Sequence, residues 1–393
     1  AIQNWFERKA EDLNFDKSAF RSKVKFSTKV IWYETAEDIP TKVFTRLNVG
    51  KISLTNAELI KALFLNSSNF HTNDEKGMRL RQVEIANEWD GIENALQNNK
   101  LWYFLCDEEK DDNRIEFIFN LMDTYRGRSN DPYSTFRYFS QKLAGKSEND
   151  MKHNWETVQE YYQRCNEWYS DRELYHKIGF ILTAEITNAN VSTLYDKSSK
   201  MKKSEFKEYL DVLIKTHYKN KKQYLFDLDY YNKTTRSVLL LYNILTMLQN
   251  DHDSSHFPFD AFKLNRWNIE HIASRKDSTS VPEAYRKQWL EDVRNYIDQT
   301  QAEATGLIGD IDSSIQRENI DDLYFKSIFE RVTDHFNKYM TADYDIDGIS
   351  NLALLDEKTN KSYKNAVFPL KRKQIIDLDK SGCFVPLCTK NVF

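Results

Sequence analysis

The chain has 393 residues, more than one ordinary domain holds, so two or three domains are expected. Aromatic residues make up 14% of it and there are only 10 Gly and 6 Pro, a balance that favours a mainly helical protein with a substantial core. The formal net charge of -4 excludes a general basic coat for nucleic acid, so any such binding needs local basic patches.

Cysteine content and hydropathy narrow the class further. Four cysteines in so long a chain exclude a disulfide scaffold and indicate free thiols. The longest apolar run, Val238 to Leu248, contains polar residues and is too short to span a bilayer. The N-terminus lacks the basic-then-apolar pattern of a signal peptide. These features predict a cytoplasmic protein with no membrane partner.

Hydrophobic periodicity predicts helices over most of the first 250 residues. Residues 1–30 favour one or two short helices, and Lys29 to Glu34 is typical of a strand. Thr55 to Glu58 forms a capping box, which predicts a helix from about Asn56. Further helices are predicted over Glu75 to Gln97, Ile115 to Met122, Trp155 to Trp168, Leu174 to Ile186, Phe206 to Ile214 and Ser237 to Leu248. The last is apolar nearly all round, so we expect it at the centre of the bundle.

A basic run lies inside this helical region. Asp196 to Lys222 contains nine lysines against four acidic residues. Such runs are usually solvated helix faces, and that interpretation is somewhat favoured. The alternative is a surface that contacts phosphates, whose binding would weaken steeply with salt.

The candidate chemistry lies in the last third. Trp267 to Ile272 alternates apolar and polar residues like a half-buried strand, with His271 on one face and Glu270 on the other. A carboxylate beside an imidazole is a common catalytic pairing, because one can hold a metal while the other takes a proton. Asn351 opens a second short apolar strand that ends at Leu355. Asn360, nine residues after Asn351, lies in a polar, Lys-rich stretch.

Two further elements complete the last third. Helical segments are predicted at Pro282 to Thr300 and Ile320 to Tyr339, inside the 80 residues that separate His271 from Asn351. We expect this helical insertion to fold out of the way of the site. The apolar end of the chain, Phe384 to Phe393, is interpreted as a terminal strand.

The order acid–His, Asn, then a second polar ligand resembles the ββα-metal core of HNH endonucleases. Upstream, Phe44-x2-Leu47-Asn48-x-Gly50 looks like the end of the ParB-related N-terminal domain of GmrSD-type restriction proteins, where a helical region and an HNH domain follow. The resemblance implies three domains: residues 1–72, a remnant of the ParB-like nucleotidase or sensor domain; 73–255, helical; and 256–393, HNH-like. The family's Asp-Gly-Gln-Gln-Arg nucleotide motif is absent, so no nucleotide hydrolysis is expected.

The same resemblance assigns roles. His271 would deprotonate the attacking water, and Asn351 would orient His271 or brace the loop between strand and helix. Glu270 and Asn360 would hold Mg2+ or Mn2+ through oxygen atoms, the ligands that magnesium prefers. Lys371 and Arg372 would contact phosphates beside the cut.

The expected fold is therefore mainly α with a small α+β part, a helical bundle followed by a ββα-metal domain with a helical insertion. The expected function is metal-dependent endonucleolytic hydrolysis of DNA, modified DNA included, in a modification-dependent or antiphage restriction system, with a homo-oligomer as one expected form. Two alternatives remain open. One is a catalytically degenerate module that binds DNA or a partner, and the other is a platform for assembly or sensing in residues 1–255.

Overall fold

The structure is a computed structural model, which describes residues 15–29, 54–66, 75–109, 113–123, 131–144, 148–186, 189–220, 224–250, 252, 254–273, 281–297, 302–338, 344–357 and 366–393. The chain forms two compact units, Ala1–Leu54 and Thr55–Phe393. In the first unit, helix α1 (Lys17–Ser22) begins after Asp16 and a π-helical turn (Lys23–Ser27) follows it. This confirms the short helices predicted there.

The strand predicted at 30–34 and the motif at 44–50 lie outside the described residues.

The second unit is helical over most of its described length. Its helices up to residue 249 are α2 (Asn56–Leu65), α3 (Glu75–Leu96), α4 (Asn99–Leu105), α5 (Glu116–Met122), α6 (Ser134–Leu143), α7 (Glu148–Ser170), α8 (Arg172–Thr183), α9 (Val191–Ser198), α10 (Lys203–Asn220) and α11 (Thr235–Gln249). The seven helices that the sequence predicts in this region are confirmed. Among the described helices, none combines the length and the apolar character that a bilayer crossing requires.

The start of α2 shows why local signals work in this region. The Glu58 backbone N–H donates to the Thr55 hydroxyl (3.3 Å), and the Thr55 N–H donates to the Glu58 carboxylate (2.8 Å). The predicted capping box is thus formed. Aromatic rings then hold the helices together: Trp155 of α7 stacks on Trp89 of α3 at 6.0 Å between centroids and meets Phe64 of α2 edge-on at 5.3 Å.

Helix α11 is less buried than its composition suggests. Leu240 and Ile244 point into the core, but Tyr242 and Leu245 on the opposite side are exposed, Leu245 by 45%. One side of this helix therefore lies at the surface, although the helix also contacts α8 of the helical region. Other helices cover only part of its circumference, and an apolar face is left towards solvent.

Part of the basic run is neutralised within the fold. Lys203 and Lys207 extend from α10 to the carboxylates of Asp171 (2.9 Å from Lys203) and Glu173 (2.7 Å from Lys207). Burial alone would raise the pKa of Asp171, but the backbone N–H of Leu174 and the two lysines lower it to about 2. These two lysines therefore stabilise the start of α8, and a phosphate-contacting role stays a prediction for the other lysines of the run.

The last third builds a two-stranded sheet among helices. Its elements are α12 (Phe259–Leu264), β1 (Trp267–His271), α13 (Arg286–Arg294), α14 (Ala302–Ile315), α15 (Asp322–Asn337), β2 (Leu352–Asp356), α16 (Phe368–Lys380) and α17 (Leu387–Val392). Strands β1 and β2 are antiparallel, with Trp267 opposite Asp356 and His271 opposite Leu352. The described chain is thus mainly α with one small β-sheet, as predicted at that level of detail.

The insertion between β1 and β2 is helical, as predicted, but it is part of the core. Leu290 of α13 and Phe329 of α15 share one buried cluster with Ala353 and Leu355 of β2 and Leu370 of α16. The insertion therefore packs against one face of the sheet instead of standing apart from it.

The terminal strand prediction is wrong, because the end of the chain forms α17. Buried positions at Val385, Cys388 and Thr389 follow helical rather than alternating spacing, and Pro386 directly precedes the helix. The Cys388 N–H donates to the Asn243 side chain of α11 (2.9 Å), and the Thr389 hydroxyl donates to the Leu354 carbonyl of β2 (2.8 Å). Helix α17 thus joins the helical region to the sheet.

Candidate functional site

The antiparallel sheet sets the direction of the predicted metal ligand Glu270 and the predicted base His271. Glu270 lies opposite Ala353 and His271 opposite Leu352. Since directly opposed residues share a face, Glu270 projects on the side of the insertion core and His271 on the other. The alternation predicted from sequence is confirmed, and it means that the adjacent pair is divided between two faces of the sheet.

His271 is held by two groups that do not come from its own strand. Its Nε2 lies 2.8 Å from Oδ1 of Asp347, and its ring stacks on Tyr230 at 4.6 Å between centroids. The side chain is 10% exposed. Burial lowers the pKa of His271 below its ordinary 6.5, although Asp347 and Glu270 oppose the shift. The ring is thus biased towards the neutral form that a general base requires.

A short backbone pairing fixes Asp347 and Tyr230 relative to each other. The Tyr230 N–H donates to the Asp347 carbonyl (2.8 Å), and the Ile349 N–H donates to the Leu228 carbonyl (2.9 Å). Asp229 and Gly348 form the bridge between these two bonds. The segment before α11 and the segment before β2 therefore position His271 together.

Lys371 is buried against strand β1, whereas a residue that contacts phosphate is expected to face solvent. Its Nζ donates to Oε1 of Glu270 (2.7 Å) and to the main-chain carbonyl of His271 (2.6 Å), and its side chain is only 2% exposed. Burial lowers the pKa of Lys371 below its ordinary 10.5, although Glu270 opposes the shift. This amine thus ties α16 to the predicted metal ligand Glu270 and to the backbone of the predicted base His271.

Asn351 holds two backbone segments together at one end of the sheet. Its Oδ1 accepts from the Ala273 N–H (2.8 Å), and its Nδ2 donates to the carbonyls of Ala273 (3.2 Å) and Ile346 (2.8 Å). All three hydrogen bonds go to backbone. The buried amide therefore joins the chain just after His271 to the chain just before Asp347.

Replacing Asn351 with Ala is expected to lower the free energy of unfolding by about 3 kcal/mol, because this buried amide makes three hydrogen bonds and the half-buried backbone groups of Ala273 and Ile346 lose their partners. Urea denaturation measures this as a lower midpoint at unchanged slope. Asn391→Ala, at an exposed position of α17, is the control and should leave the midpoint in place. Equal midpoints for the two variants would contradict the bracing role.

The remaining predicted residues are placed as follows. Arg372 is exposed beside Lys371 on α16, so its phosphate contact stays a prediction. Asn360 lies outside the described residues. Within the ranges given above, no group of three or more His, Cys, Asp and Glu side chains is arranged to hold a metal ion.

Sequence reasoning missed Asp347 and Tyr230. Asp347 stands four residues before Asn351 in an acidic turn, and its closeness to the predicted second strand was the available signal. Tyr230 precedes β1 by 37 residues in the predicted helical region, so no motif connects it with His271. The carboxylate that contacts the imidazole is thus Asp347, not the neighbouring Glu270.

Comparison with known proteins found no matching family, no matching curated protein and no matching solved structure. The resemblance to GmrSD-type restriction proteins therefore stays a prediction that rests on its motifs.

Proposed function

We propose that the chain is an HNH-type DNA endonuclease of a modification-dependent or antiphage restriction system, acting in the cytoplasm. The observation that carries this proposal is the carboxylate-bound imidazole of His271 at the end of an antiparallel strand pair, with Lys371 of the following helix α16 bonded to the same strand. Strand, strand and helix occur in the order of a ββα core.

Asp347 determines how His271 can act. A carboxylate only accepts hydrogen bonds, so the neutral ring carries its proton on Nε2, facing Asp347. Nδ1 then keeps its lone pair and can take a proton from a water molecule. As the proton arrives, Asp347 stabilises the positive ring, while stacking on Tyr230 limits its rotation.

The HNH resemblance implies a magnesium ion, and Glu270 is the described residue proposed to hold it. Its carboxylate is the hard oxygen donor that magnesium prefers, and a bound ion would replace the ammonium of Lys371 that now donates to Oε1. Asn360 is the predicted second donor. When bound, the ion would stabilise charge on the phosphate and the leaving oxygen. Arg372, exposed on the same helix, is the proposed phosphate contact.

The experiment is direct. Supercoiled plasmid, with and without modified bases, is incubated with the purified chain in Mg2+, in Mn2+ and in EDTA. We expect nicked and linear products in either metal and none in EDTA. Intact plasmid under every condition, at protein concentrations that bind DNA in a gel-shift assay, would exclude nuclease activity.

A second candidate function is favoured by the burial of the site. His271 is largely covered, and Glu270 is paired with Lys371, which is also how structural residues behave. On this alternative the last third is a degenerate HNH module that binds DNA or a partner without cutting. Gel-shift binding without cleavage in any metal distinguishes it from the first proposal.

The pH profile of cleavage has a defined sign. Because burial lowers the pKa of His271, the ring stays neutral down to pH values below its ordinary 6.5. Cleavage is therefore expected to be constant above about pH 6.5 and to fall only in more acidic buffer. Single-turnover rates between pH 5 and 8 measure the midpoint, and a midpoint above 6.5 would contradict the assignment.

Asp347→Asn is expected to slow cleavage by about 10- to 100-fold, because the ring loses the charge that stabilises its protonated form. The same loss lowers the pKa of His271 further. The acidic limb of the profile of cleavage rate against pH should therefore move to lower pH, while the rate itself is lower at every pH. A purely structural effect would reduce the rate without moving the limb. A limb that stays in place or moves to higher pH would exclude this role for Asp347.

A further inference from the structure

An apolar groove runs between α10 and α11, apart from the sheet. The α11 wall presents Val238, Leu241, Leu245 and Leu248, spaced at three, four and three residues as on one helix face. The α10 wall contributes Ile214 and Tyr218, Leu225 and Leu228 also line the groove, and the space measures about 560 Å3.

The groove faces solvent, and two of its leucines are largely exposed. Leu225 is 54% exposed and Leu245 45% exposed. On the same elements, Val212, Phe226 and Tyr242 are exposed as well. Single exposed apolar residues are ordinary, but a continuous apolar groove of this kind marks a binding surface.

The charge at the groove is unbalanced. Among the lining residues, Lys177 and Asp211 form an ion pair at 2.7 Å, and Lys177 also pairs with Glu173. Lys215 and Lys219, one turn apart on α10, are exposed, and the part of the chain that the structure describes gives neither of them an ion-pair partner. The α10 edge is therefore positive, while the floor of the groove is apolar.

We propose that this groove binds an amphipathic helix of a partner protein, with an apolar stripe on the leucines and acidic residues over Lys215 and Lys219. From Val238 to Leu248 the α11 wall is about 15 Å long, which is roughly three turns of a docked helix. A helix seated between two helices uses the i, i+3, i+7 anchors that such grooves recognise. The acidic edge follows from the charge of α10.

The test selects ligands from a displayed library of helix-forming 16-residue peptides against the whole chain, and it measures the enriched peptides by fluorescence anisotropy. Enriched peptides are expected to carry the apolar stripe with Asp or Glu along one edge. Leu245→Asp should weaken binding by about tenfold or more, because it places a charge in the groove. Leu323→Asp, at an 82% exposed leucine of α15, is the matched control and should bind like wild type.

Reversing the charge of the α10 edge tests whether it binds acidic residues of the docked helix. The double variant Lys215→Glu/Lys219→Glu should weaken acidic peptides by about fivefold and recover affinity for peptides with Lys in place of the acidic residues. The proposal is overturned by peptides without an acidic edge, by equal binding to the Leu245→Asp and Leu323→Asp variants, or by no enrichment. It is also overturned if dodecanoate fills the groove and no helical peptide does. Binding is measured without DNA, so the result is independent of nuclease activity.

Discussion

His271→Ala is expected to reduce the single-turnover rate of plasmid cleavage by about 10²- to 10⁴-fold, the usual contribution of a general base. The imidazole is the group that Asp347 and Tyr230 position at the end of β1, and alanine leaves no atom that can take the proton from water. The rate is measured with protein in excess over supercoiled plasmid in Mg2+.

Two comparisons give this result its meaning. Gel-shift affinity for the same DNA should stay close to wild type, since His271 acts on water rather than holding the duplex. His153→Ala, at an exposed histidine of α7, should cleave at the wild-type rate. If the His271→Ala variant nicks plasmid as fast as the His153→Ala variant, His271 is not the base and the observed cutting has another source.

Lys371→Met is expected to lower the free energy of unfolding by about 3–5 kcal/mol, the typical result of removing one partner from a buried ion pair. Its amine serves Glu270 and the His271 carbonyl, and methionine keeps the volume of the stem but leaves both oxygens without this donor. Urea unfolding followed by tryptophan fluorescence gives the midpoint and the slope.

The double variant Glu270→Gln/Lys371→Met distinguishes the effect of an unpaired buried charge from the effect of altered packing. Since no unpaired carboxylate remains in it, its free energy of unfolding should lie well above that of Lys371→Met. Lys373→Met, exposed on the same helix, is the matched control and should stay within about 0.5 kcal/mol of wild type. A Lys371→Met midpoint equal to that of Lys373→Met would show that the buried pair contributes nothing.

Local signals carried the correct predictions. The Thr55 capping box, the helical periodicities up to Gln249 and the alternation around Glu270 depend on residues within a turn or two of one another. The prediction of a strand at the end of the chain was wrong, because an apolar run of ten residues is compatible with either a strand or a helix. Contacts with α11 and β2 decide between the two.

The environment of the site was not predictable in the same way. Lys371 and Glu270 lie 101 residues apart, and His271 and Asp347 lie 76 apart, so only the packing of α16 and the bridge at Gly348 bring each pair together. Motif spacing suggested which residues to consider. It contained no information on which carboxylate would contact the ring, or on which face of the sheet the helical insertion would cover.

The segment from Leu228 to Tyr230 has a thermodynamic consequence. Leu228 lines the groove, and two residues later Tyr230 stacks on His271. While the stack stays intact, a ligand that favours one position of this segment also favours the matching position of the imidazole. By reciprocity, anything bound at His271 that prefers one ring position changes the affinity of the groove by the same factor. Titrating one site while measuring affinity at the other would give that coupling free energy.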